Sequence, residues 1–174
     1  HRQPRYELPL AALAGGAALC DVFALDTVAG ALCIGAAFLT LVRVVPWQLH
    51  HTLSQPHLWT LALGYLWLVP GLALKGIAQL GEHIPVAGML HGISIGALGT
   101  LTLVMMARTT ALRIRKPFVD FGDIGIAALL VSTAAIARLA APVIPPEQDR
   151  LLWLAAAAWT SAFVLLLVRL WRTR

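Results

Sequence analysis

Three residues able to do chemistry lie inside apolar runs: Asp21, Lys75 and His91. A charged side chain at mid-membrane costs about 2.5 to 3.5 kcal/mol on the insertion scale, so such residues face a bundle interior or a watery cavity. An imidazole at such a depth needs a hydrogen-bond partner, water or a metal, and in its neutral form it is a good ligand for copper or haem iron. Ser94 or a carbonyl beside the Pro70 kink is the candidate partner for its second ring nitrogen, and His83 is one candidate for a second metal ligand, if the link that carries it folds inward. Asp21 and Lys75 have opposite charge and are expected to pair in a polar vestibule. Around His91, Gly88, Gly92 and Gly96 recur every fourth residue, so they share one helix face and admit a neighbouring backbone. His50, His51 and His57 fall in a polar stretch that reads as a wet interfacial loop. Cys20 and Cys33 show neither metal-binding spacing nor the density of a disulfide scaffold. Nothing resembles a catalytic triad, a phosphate loop or a zinc-protease motif.

The elements that must carry these residues are membrane spans. The 174 residues are 59% hydrophobic and 12% charged, with mean hydropathy +0.80, far from an ordinary soluble domain. The formal charge of +5 would suit nucleic acid, but the basic residues sit between apolar runs instead of on one face, which excludes that partner. The lipid bilayer is the expected partner. No strand pattern competes with helix. The apolar runs predict an all-α polytopic membrane protein, a single bundle over 1–174, with six transmembrane helices at about 8–25, 28–45, 58–80, 85–107, 119–141 and 151–170. Asp26 and Thr27 read as the turn of the first hairpin. Trp47 and Trp59 flank an interfacial link, Pro70 should kink the third span, and Asp120 and Asp123 suit the N-terminus of the fifth.

Six spans place Arg2, Arg5, Arg43, Arg108, Arg113, Arg115, Lys116, Arg169, Arg172 and Arg174 on one side, against Lys75, Arg138 and Arg150 on the other. Both termini are therefore expected to be cytoplasmic. Counting helical rise from the outer ends puts His91 and Asp21 roughly 9 Å deep, and Lys75 and Cys33 roughly 7 to 8 Å. That layer suggests a vestibule opening outward, although Lys75 and Arg138 are also long enough to snorkel to the headgroups.

The run from Leu90 to Arg108, LHGISIGALGTLTLVMMAR, resembles the signature of the NnrS family: a histidine, a glycine pair, Thr-x-Thr, then methionine and arginine. Leu63-Gly64-Tyr65-Leu66-Trp67-Leu68 is similar to that family's leucine-glycine-tyrosine helix, in the same order along the chain. Of the motif histidines this chain keeps His91, with Ala62 and Arg113 where the family commonly has histidine. The resemblance implies a multi-pass protein of the bacterial cell inner membrane that binds haem or copper and takes part in the response to nitric oxide. It also implies His91, Tyr65 and Ser94 as cofactor-binding residues. Family members have about twice as many spans, so this chain is expected to be the C-terminal half, with the missing N-terminal half as a partner. Two other functions fit the residues: a small-solute or ion carrier with Asp21, Lys75 and His91 lining its pocket and Pro70 as a gate, or a structural half-bundle.

Overall fold

A computed structural model describes residues 4–47, 49–81, 85–113 and 122–172 of the protein, and no strand occurs among them. They form six helices: α1 (Pro4–Val22), α2 (Asp26–Val44), α3 (Pro56–Leu80), α4 (Val86–Arg113), α5 (Gly122–Ala140) and α6 (Gln148–Arg172). Five of them, α2 to α6, are long and apolar enough to cross a membrane. The sixth expected span, α1, does not qualify. It holds Arg5, Glu7 and Asp21, and the uncharged run between them, 8–20, falls short of the about 17 residues a span needs.

The reason lies in where α1 stops. Leu25 N–H donates to the Cys20 carbonyl at 2.9 Å, and Ala24 N–H to the Asp21 carbonyl at 3.2 Å. With Ala24 at φ 53°, this is a Schellman turn with alanine in the left-handed position that glycine usually takes. The hairpin therefore bends at 23–25. Asp26, expected in the turn, is instead the first residue of α2, where its carboxylate suits the helix dipole.

In α3 the regular helix is interrupted at Trp67, between Pro56–Leu66 and Leu68–Leu80. Pro70 has no N–H for the Leu66 carbonyl four residues back and its ring crowds that carbonyl, so the kink appears one turn before the proline. Helix α4 opens with Val86–Met89, widens to a π-helix over Gly92–Gly99, and returns to α-helix through Arg113, beyond the expected end at Ala107.

Close backbone contacts set the helix crossings. A Cβ on Gly30 of α2 would lie 2.9 Å from the Gly76 carbonyl of α3, and one on Gly76 would lie 2.7 Å from the Gly30 carbonyl. A Cβ on Gly92 would meet the Gly71 Cα at 2.8 Å, and one on Gly96 would enter the Trp67 ring. At Gly88 the neighbour is Pro142, 3.1 Å away. Helix α1 packs on α2, α2 on α3 and α5 on α6, while the π-helical part of α4 is wedged between α3 and α5. Leu103, Val104, Ile124, Val131, Ala162 and Leu166 form the buried core of α4, α5 and α6. Trp153 and Trp171 of α6 are 77% and 76% exposed. Helical rise separates them by about 27 Å, near the ~30 Å of bilayer hydrocarbon, as expected of two headgroup anchors. His83, Asp120 and the expected start of the fifth span at Val119 lie outside the described residues.

Candidate functional site

The last turn of α1 and the last two turns of α3 meet at one end of the bundle. Lys75 Nζ donates to Asp21 Oδ2 at 2.6 Å, and Gln79 Nε2 donates to Asp21 Oδ1 at 2.7 Å. Lys75 and Gln79, four apart, share one face of α3. The Gly30–Gly76 crossing brings α2 against that face, which places Cys33 Sγ 3.6 Å from Lys75 Nζ. Lys75 is only 8% exposed, while the Asp21 side chain is 36% exposed. A cavity of about 530 Å³ reaches this cluster and is also lined by Asp26, Val86 and Leu90. Gln79 Oε1 is buried there without a hydrogen-bond partner among the described residues.

His91 forms a second polar pair. Arg138 Nε donates to His91 Nε2 at 3.2 Å, so that nitrogen carries the lone pair and the proton of the neutral ring sits on Nδ1. Ser94 does not partner the imidazole as expected, because its hydroxyl donates to the Leu90 carbonyl at 3.1 Å. Ser94 instead lines a cavity of about 510 Å³ together with Arg138 and, from α6, Leu152, Ala155, Trp159 and Thr160. Tyr65 belongs to neither cluster. Its hydroxyl accepts from Arg43 Nη1 at 3.4 Å, its ring packs on Trp47 with centroids 4.9 Å apart, and it lines a separate apolar pocket. The structure thus joins Asp21 to Lys75, and leaves His91, Ser94 and Tyr65 with three different sets of partners.

No three His, Cys, Asp or Glu side chains among the described residues come together as a metal site. The two best donors each face a cation: Cys33 sulfur the Lys75 ammonium, and His91 Nε2 the Arg138 guanidinium. Those charges repel a metal ion brought to the same atoms. The described residues thus hold no three-ligand cluster of the kind copper takes, and the imidazole that the resemblance assigns to haem has its Nε2 engaged by Arg138.

Several partners were not evident from sequence. Arg138 reads as a residue free to snorkel, yet it reaches inward to His91. Gln79 offers only the hint that it lies one turn from Lys75. Trp67 Nε1–H crosses to Ser132 Oγ at 3.0 Å, next to the break in α3. Arg169 near the end of α6 pairs with Asp123 at the start of α5, whose carboxylate also caps the Ile124 N–H at 2.9 Å.

A family model described as NnrS protein matches residues 1–173. No curated protein and no solved structure matches the chain. The likeness thus extends from the first helix to the last, beyond the middle helices that carry the motif, and lends no support to a missing N-terminal half. With five helices fit to cross a bilayer and a match along its length, the chain is a multi-pass membrane protein and belongs to the NnrS family.

Proposed function

We propose that the protein acts in the response to nitric oxide from the bacterial inner membrane, through the polar layer where α1, α2 and α3 meet. The family match over residues 1–173 supports the nitric oxide reading, and the half-buried Lys75–Asp21 contact supports taking this layer as the working part. The topology that goes with this reading has six spans and both termini in the cytoplasm. The charges that disqualify α1 on its own are matched by its neighbours, since Asp21 meets Lys75 and Glu7 lies 3.6 Å from Arg43 of α2. Pairing removes much of the insertion penalty, so α1 can lie in the bilayer against α2. Of the imidazoles that the resemblance implies for haem or copper, His91 of α4 is described, and its Nε2 is already held by Arg138.

A second reading, a carrier for a small polar solute, is favoured by the cavity of about 530 Å³ beside Asp21, Lys75 and Gln79, together with the interruption of α3 at Trp67. The test is the growth of a deletion strain exposed to a nitric oxide donor. The deletion should sensitise the strain and the wild-type gene should restore tolerance. Unchanged tolerance on deletion would remove the nitric oxide reading and leave the carrier.

A further inference from the structure

The cavity between α4, α5 and α6 contains a cation that the bundle does not neutralise. No carboxylate among the described residues pairs with Arg138, whose acceptor is the neutral ring of His91. That bond uses the Nε–H alone. The forked end of the guanidinium keeps the pair of N–H groups that match two oxygens of a planar oxyanion. Thr160 of α6 lines the same cavity. Thr40, Thr60 and Thr133 return their hydroxyls to the carbonyl four residues back, whereas Thr160 has no such bond and is free to donate. Ser94 cannot add a donor, because its proton is committed to Leu90. Elsewhere the lining is apolar, with Ile95, Leu152 and Ala155.

We propose that this cavity binds a small planar oxyanion of the carboxylate or nitrate class, held by the Arg138 fork and the Thr160 hydroxyl. His91 is the positioning residue: by accepting the Nε–H it aims the fork into the cavity. A metal cation is disfavoured by the same guanidinium. A lipid headgroup phosphate shares part of this chemistry, because Arg138 stands in the last turn of α5. Thr160 lies roughly 18 Å of helical rise from Gln148 along α6, so dependence on Thr160 separates a free oxyanion from a tethered phosphate.

The probes are sodium formate and sodium nitrate, titrated calorimetrically into the purified full-length protein in phosphatidylcholine nanodiscs. Wild type should bind both saturably and chloride much more weakly. Arg138→Lys, which keeps the charge and loses the fork, should weaken formate binding about tenfold, and Thr160→Val about fivefold. Arg138→Gln should abolish it. The lysine and valine variants keep the proposal testable should the glutamine variant fail to insert. Absence of saturable binding to wild type, chloride binding as tight as formate, or formate affinity unchanged in both Arg138→Lys and Thr160→Val would each overturn it. So would loss of formate binding when phosphatidylglycerol is added to the nanodiscs together with insensitivity to Thr160→Val, which would assign the cavity to lipid.

Discussion

At the scale of single residues, the Asp21–Lys75 contact was legible in the sequence while the His91–Arg138 contact was not. Helical rise from the ends of two runs puts Asp21 and Lys75 at one depth, and their opposite charges supply a reason to meet. Nothing comparable gives the rotation of α5 about its axis, which decides whether Arg138 turns toward lipid, headgroups or α4. The first pair yields a coupling prediction. Asp21→Asn or Lys75→Met alone leaves one charge without its partner and should lower stability by about 3 kcal/mol, the lower end of the range because Asp21 is partly solvated. The double variant should recover most of that loss. Thermal unfolding in detergent of the four proteins reads the coupling, and a double variant that loses the sum of both single losses would show that the pair is not energetically linked. A smaller loss is expected at the second pair. His91→Ala leaves the Arg138 Nε–H without its acceptor and should lower stability by about 1 to 3 kcal/mol in the same measurement, whereas Arg150→Ala, in an exposed pair with Glu147 at 3.0 Å, should change little.

At the scale of elements, the helices were visible as apolar runs, and the errors fall where a backbone feature has no residue signature. The turn after α1 uses Ala24 in a left-handed conformation, so no glycine marks it. Ala24→Gly should therefore raise stability by about 1 kcal/mol, and a fall in unfolding temperature for that variant would show that the turn is not built this way. The break in α3 follows from Pro70 and was foreseeable, although its place at Trp67 depends on the carbonyl that the proline leaves unpaired. The glycine spacing near His91 signalled close packing but named no neighbour. The same logic missed Gly30 and Gly76, which share their runs with other glycines at no four-residue spacing and meet only across the α2–α3 crossing. Gly92→Leu would drive a side chain into the Gly71 backbone and should abolish accumulation of folded protein, whereas Leu98→Ile, at a position 62% exposed, should be nearly neutral. Fluorescence-detected size exclusion separates the two outcomes, and equal tolerance would place the glycines on a lipid-facing surface.

At the scale of the whole molecule, composition decided the class and a short motif decided the family, while the number of spans depends on α1. Ten basic residues against three set the orientation only if α1 crosses, because its crossing puts Arg2 and Arg5 on the side of Arg43. The pairing of Glu7 with Arg43 and of Asp21 with Lys75 is what would let it do so under the proposed topology. A reporter active only outside the cytoplasm should be silent when fused near either end of the chain, and activity at the N-terminal fusion alone would leave five spans. The most direct test of the polar layer as the working part is tolerance of a nitric oxide donor by the deletion strain carrying Asp21→Asn with Lys75→Met. The expected result is membrane levels of the double variant close to wild type, because no lone charge remains, with tolerance no better than that of the deletion. Wild-type tolerance from the double variant would contradict a role for this layer in the nitric oxide response.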